Sequence, residues 1–277
     1  MIDRATLKNR FVRSANLSYL LIILFLSLNF SLTVSHNKTM SKIKEVLIEP
    51  DVAGVVRRLA LIVEINANEA IEREDIFKIG LSGGSMVKLL TEGLPLISTN
   101  WSKWRFFFCD ERIVSFEDIE STYGQYKASL IGKIPVTDDQ FIKIDPNLSA
   151  EEAASDYIKK MSVYFRPHSV PRFDVLLLGM GPDGHTCSLF PNHRLLDETS
   201  FWVCSINDSP KPPSSRITLT FPVINNARVC IFAATGSSKK EMVKRVVDGE
   251  ENLPAAKVMP LHGKLYWILD KDAAEDL

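Results

Sequence analysis

Phe173-Asp174-Val175-Leu176-Leu177-Leu178 runs directly into Gly179-Met180-Gly181-Pro182-Asp183-Gly184-His185, and this junction decides the fold. Apart from Asp174 the first stretch is apolar without polar alternation, which is the pattern of a strand covered on both faces in the middle of a parallel sheet. The glycines and the proline that follow can continue neither strand nor helix. They fix an unusual backbone path and deliver one carboxylate and one imidazole at the strand's carboxyl end.

Outward from that strand, short β-rich runs alternate with helical stretches. Ile43 to Ile48, Ile76 to Leu81 and Arg105 to Cys109 read as strands, with a short one at Phe141 to Ile144. Later ones fall at Trp202 to Ile206, Ile217 to Leu219, Val229 to Ala233 and Leu265 to Leu269. Behind Pro50 and Asp51, the residues Val52, Val55, Val56, Leu59, Ile62 and Val63 keep helical spacing to about Arg73. Further helices start near Met86, cover Thr122 to Ile131, run from a Ser149/Glu152 capping box to about Phe165, and span Lys239 to Val247. The alternation predicts one α/β domain with a mostly parallel sheet flanked by helices. Ligands of such sheets sit beyond the carboxyl ends of the strands, so the loops after Leu81, Cys109 and Leu178 are where chemistry belongs.

Apolar residues make up 45% of the 277 and charged ones 24%, with 13 Gly and 14 Pro, which excludes disordered and collagen-like chains. Lys plus Arg is 33 against 34 acidic residues, a net charge of -1 with no field to steer the chain onto nucleic acid. No nucleic-acid partner is expected. Residues 1–39 take Arg4, Lys8, Arg10, Arg13 and Lys38 against Asp3, so the remainder carries about -5 and repels anions weakly. An anionic ligand therefore needs a local cluster of donors.

Residues 14–35 are free of charge, are densely apolar from Tyr19 to Leu28, and follow four basic residues, the layout of a signal peptide or marginal signal anchor. The alternative is a working protein that begins at Met40, where Met-Ser-Lys opens onto a strand. We expect residues 1–39 to be an extension outside the fold and residues 40–277 to form the catalytic domain. Membrane contact is expected only if residues 14–35 act as an anchor. Cys109, Cys187, Cys204 and Cys230 are too few and too scattered for a disulfide scaffold and lack zinc spacing, which indicates a reduced compartment. A cytoplasmic location is expected, with the endoplasmic reticulum or secretory pathway as the alternative.

Four segments could carry chemistry. In Gly80-Leu81-Ser82-Gly83-Gly84-Ser85, glycines between a strand and a helix let backbone N–H groups approach an anion such as phosphate. This is neither a Walker A loop nor a dinucleotide fingerprint, and an unliganded turn would look the same. Cys109-Asp110-Glu111-Arg112 is either a solvated turn or a place where an acid pair orients an arginine. Gly179 to Pro191 places His185 and Asp183 where a general base suits the sheet; the other histidines, His36, His168, His193 and His262, have weaker settings. Ser209-Pro210-Lys211-Pro212-Pro213-Ser214-Ser215-Arg216 is a proline-stiffened loop with two cations, suited to clamping a phosphate or simply to lying on the surface.

Taken in this order, Gly80 to Ser85, Cys109 to Arg112 with Glu120-Ser121-Thr122-Tyr123-Gly124, Gly181 to Pro191, and Ser209 to Thr220 resemble the 6-phosphogluconolactonase family, especially its eukaryotic cytosolic members. The similarity covers about Ile43 to Asp270. It implies a Rossmann-like sheet shared with sugar-phosphate isomerases and deaminases, and hydrolysis of 6-phospho-D-glucono-1,5-lactone, a small sugar-phosphate lactone; a monomer is expected. In that reading a neutral His185 takes a proton from water and returns it to the ring oxygen, with no metal and no cofactor. Arg112 stabilises the oxyanion or orients the lactone, and Asp110 or Asp183 holds His185 or Arg112 in place. Ser82, Gly83, Gly84 and Ser85 receive the phosphate, with Lys211 and Arg216 closing over it. The alternatives are a glucosamine-6-phosphate deaminase or isomerase, which resembles the chain at Asp110-Glu111 and Asp183-Gly184-His185 but differs at Arg112 and Thr186 to Leu189, and a non-catalytic sugar-phosphate-binding protein.

Overall fold

Residues 43–277 are described by a computed structural model of the chain; the segment read as a signal or anchor lies outside them. In chain order the elements are β1 (Ile43–Glu49), α1 (Val52–Glu74), β2 (Phe77–Leu81), α2 (Ser85–Gly93), β3 (Trp104–Phe108), β4 (Asp110–Arg112), α3 (Thr122–Leu130), α4 (Ala150–Ser162), β5 (Val175–Leu178), β6 (Val203–Ile206), β7 (Arg216–Leu219), β8 (Val229–Ala234), α5 (Lys240–Val247) and β9 (Lys264–Asp270). Six strands form a parallel sheet in the order β1-β9-β8-β5-β2-β3. β5 lies inside it, pairing with β2 through Ile79 and Val175 and with β8 through Val175 to Leu178 against Val229 to Phe232. The unbroken apolar run from Val175 to Leu178 is thereby explained, because successive side chains enter opposite cores and both are closed.

Val175 and Leu177 join one core with Ile79, Phe106, Phe108 and Ile231, covered by α1, α2 and α3. Leu176 and Leu178 join the other with Phe107, Phe232 and Trp267, covered by α4 and α5. α1 starts where Asp51 accepts from the Gly54 N–H at 2.7 Å, and α4 starts at the expected capping box, in which Ser149 and Glu152 satisfy each other's backbone N–H. The mostly parallel α/β sheet flanked by helices is thus the fold observed.

Three local expectations are corrected. Phe141 to Ile144 is no strand: only Phe141 makes an isolated bridge to Phe106, with Ile142 N–H donating to the Phe106 carbonyl, and no regular structure follows up to the turn at Pro146. The helix expected to reach Phe165 ends at Ser162. Asp110 to Arg112 is not a loop but strand β4, in a separate antiparallel sheet ordered β4-β7-β6. Cys109 is the joint between the sheets: its N–H donates to the Leu81 carbonyl in the parallel sheet while its own carbonyl accepts from Leu219 N–H in β7. Among the described residues no helix is long and apolar enough to cross a membrane.

Candidate active site

The carboxyl ends of β2, β5 and β8 and the small sheet converge on a cleft of about 180 Å³, lined by Ser82, Gly83, Gly84 and Ser85, by Asp110 and Arg112, and by His185, Arg216 and Lys239. Segments far apart in sequence therefore meet in one place. Gly84 caps α2 with φ 68°, a left-handed conformation that a side chain would strain, so the turn keeps its glycine and opens the helix N-terminus toward the cleft. Ser82 is buried, and its Oγ has no hydrogen-bond partner among the described residues. A buried hydroxyl without a partner at a cleft wall is a place for a ligand oxygen.

His185 is set by the turn that precedes it. Gly181 N–H donates to the His185 carbonyl and Gly184 N–H to the Gly181 carbonyl, with Gly184 at φ 77°. The imidazole lies over Phe190 at 4.7 Å, and its Nδ1 is 2.5 Å from Asp183 Oδ1. Lys211 Nζ donates to the same carboxylate oxygen at 3.0 Å and stands 3.1 Å from Nδ1. Carboxylate accepts only, so Nδ1 carries the proton and Nε2 keeps its lone pair free for another proton. Burial, opposed by Asp183 and reinforced by Lys211, holds the imidazole below its ordinary value of 6.5. Burial works against ionisation of Asp183, but the hydrogen bonds from His185 and Lys211 outweigh it and hold that carboxyl at about 2. The result is a neutral base backed by an ionised carboxylate.

The acid pair divides its labour. Asp110 is buried at the cleft and accepts from Ser188 Oγ at 2.8 Å. Glu111 turns away from the cleft, where its carboxylate accepts from the backbone N–H groups of Arg112, Thr122 and Tyr123 at 2.8, 2.8 and 2.7 Å and so caps α3. Arg112 donates through Nη1 to the carbonyl and side chain of Glu120 at 2.9 and 2.6 Å, while its buried Nε has no partner among the described residues. Neither aspartate forms a hydrogen bond with Arg112 among the described residues. Asp183 is the one in contact with His185.

Arg216 pairs with Arg112 across β4 and β7 and is only 2% exposed. Its guanidinium donates to the carbonyls of Lys211, Pro212 and Pro213 at 2.9, 3.1 and 2.9 Å, and more weakly to Ser188 Oγ at 3.4 Å. Most of its donors thus hold the proline loop shut, which fixes Lys211 beside His185. Lys239 is absent from the residues singled out in the sequence. It sits in the turn before α5, donates to the Met180 carbonyl at 3.1 Å, and is half-buried in the cleft. Thr235-Gly236-Ser237-Ser238-Lys239 after β8 is a second strand-to-helix turn with glycine and serine, a signal of the same kind as Gly80 to Ser85. Among the described residues no group of three or more His, Cys, Asp or Glu side chains is arranged to hold a metal ion. Donors and cations on the walls, with one neutral imidazole, suit hydrolysis of an anionic electrophile.

Comparison with known proteins agrees with this chemistry. The family model described as glucosamine-6-phosphate isomerases/6-phosphogluconolactonase matches residues 50–267. The 6-phosphogluconolactonase of Bos taurus is 53% identical over 205 residues, covering 72% of this chain and 80% of that one. That of Homo sapiens is 52% identical over 205 residues with the same coverage. Among solved structures, the 6-phosphogluconolactonase from Trypanosoma cruzi superposes with a TM-score of 0.72 at 28% identity, covering 87% of this chain and 99% of that one.

Proposed function

The chain belongs to the glucosamine-6-phosphate isomerase/6-phosphogluconolactonase family, and from that premise we propose that it is the hydrolase that converts 6-phospho-D-glucono-1,5-lactone to 6-phospho-D-gluconate in the oxidative pentose phosphate pathway. The relatives' identity favours the lactonase over the deaminase or isomerase alternative. The single observation that carries the mechanism is the His185 imidazole, kept neutral by burial and held through Nδ1 by Asp183 with Nε2 free.

A lactone is a ring ester. Water attacks its carbonyl carbon as His185 Nε2 takes a proton, a tetrahedral oxyanion forms, and collapse expels the ring oxygen, which regains the proton from His185. Arg112 stands where a donor meets that oxyanion or orients the ring, a contribution of about 3 kcal/mol in comparable sites. The phosphate rests against Ser82, Gly83, Gly84 and Ser85, with Lys239 and the remaining donor capacity of Arg216 on the facing wall. Lys211 contributes its charge from the loop, through Asp183 and His185. Asp110 keeps Ser188 and the following turn in position. Anchoring the far end of the sugar aligns the carbonyl with the base.

Replacing His185 by Ala should lower kcat for lactone hydrolysis by about 10² to 10⁴ with KM little changed. Unchanged turnover removes His185 from this role, and release of ammonia from glucosamine 6-phosphate by the wild type would favour the isomerase chemistry instead. We further propose that residues 40–277 are the catalytic domain, a reading supported by the family match over residues 50–267, and that they work as a cytoplasmic monomer, with four free cysteines suited to a reducing compartment. Activity of a chain begun at Met40, with its mass measured by light scattering, tests both.

A further inference from the structure

At the opposite pole of the parallel sheet, where β2, β5 and β8 begin, a separate cleft of about 420 Å³ lies between α1 and the segment following α4. Lys78, Arg166, Arg172 and Arg228 line it, with Tyr164 and Val170 as an apolar wall. Two carboxylates serve this region. Glu74 takes Lys78 at 2.9 Å and Arg228 at 3.1 Å, and Asp174 takes Arg73 at 2.6 Å and Arg228 at 3.4 Å. Three cations share these two anions. Arg166 has no carboxylate partner among the described residues, and Arg172 donates only to the His262 carbonyl at 3.0 Å, leaving its buried Nε without a partner.

The charge of Arg172 is crowded by Arg228 and Arg73, so burial and like charge together press its guanidinium below its ordinary value. Such an arrangement is costly because cations outnumber carboxylates locally and a buried donor is left open, and a bound anion relieves it by meeting the open donors and the surplus charge at once. The volume is in the range that holds a small metabolite. The cleft is remote from the lactone site, because β5 runs from one pole to the other and each strand residue advances about 3.3 Å. We propose that this cleft is a second binding site, for a small molecule that carries at least two phosphate charges.

Isothermal titration of pyrophosphate, and separately of ADP, into the full chain tests it. One equivalent is expected to bind at low ionic strength, with affinity reduced about tenfold in Arg172→Gln and about threefold in the exposed-site variant Arg166→Glu. Lys239→Met, which alters the lactone cleft, is expected to leave that affinity unchanged, and Arg166→Glu to leave lactone turnover unchanged. Tighter binding of ADP than of pyrophosphate identifies a nucleotide as the occupant, and equal binding identifies the bare polyphosphate. Absence of binding by either probe, or loss of binding in Lys239→Met with both arginine variants unaffected, overturns the proposal.

Discussion

His185 sits between opposing influences, and their balance sets the pH at which it can act as a base. Burial disfavours the imidazolium most, Asp183 favours it, and Lys211 disfavours it. A base is lost as pH falls through its pKa, so the acid limb of kcat/KM should lie below pH 6.5. Removing the cation in Lys211→Met should move that limb to higher pH, and removing the anion in Asp183→Asn should move it to lower pH while cutting kcat by about 10². Profiles of kcat/KM between pH 4.5 and 9 separate the two variants; shifts of the same sign would contradict the arrangement. Gly181 offers a second test that leaves charge alone. A Cβ there would lie 2.0 Å from His185 Nδ1 and 2.7 Å from Asp183 Oδ1, so the ring must swing off its carboxylate. Gly181→Ala should therefore lose about 10² in kcat while its melting temperature stays within a few degrees of wild type.

At the scale of elements, β4 and α3 are tied together by one carboxyl group. Glu111 is wholly buried, and burial lifts it from 4.5 to about 7 against the pull of its three backbone donors. A carboxyl raised in the fold contributes stability that is full below its unfolded value and lost as pH climbs through its folded one, here between 4.5 and about 7. Urea unfolding of wild type and Glu111→Gln should thus show a difference that falls by about 3 kcal/mol from pH 4.5 to 7.5, and a constant difference would rule the coupling out. This element also marks where sequence pattern stops informing. The apolar run of Val175 to Leu178 is visible because burial on both faces leaves no polar position, and the helical stripe of α1 because burial on one face leaves a period in the chain. Strand β4 leaves none: three charged residues are a strand here only because β7, more than a hundred positions later, pairs with them. Phe141 to Ile144 fails the other way, being apolar enough for a strand yet lying at a sheet edge with one bridge. Glycine turns announce His185 and Ser82, whereas Lys239 enters the cleft from a turn of the same kind whose lysine reads as the first residue of a helix.

Considered whole, the molecule sets a cationic cleft into a body of opposite net charge. From Met40 onward the acidic residues outnumber the basic ones, so the long-range field repels a sugar phosphate and attraction begins only near Arg112, Lys211, Arg216 and Lys239. Salt screens over about 10 Å at 0.1 M, which weakens the attraction of a substrate still outside the cleft while leaving direct hydrogen bonds in place. The His185–Asp183 contact is of the second kind, a direct 2.5 Å hydrogen bond far shorter than the screening length, although the carboxylate is 36% exposed. Ionic strength should therefore act on capture and not on chemistry. Raising salt from 0.05 to 0.3 M should increase KM for the lactone by about threefold to tenfold with kcat nearly constant. Steady-state hydrolysis across that series is the check. A fall in kcat with constant KM would mean that the charges meet the transition state rather than the phosphate, and would move Lys239 and Arg216 from holding the substrate to stabilising the reacting carbonyl.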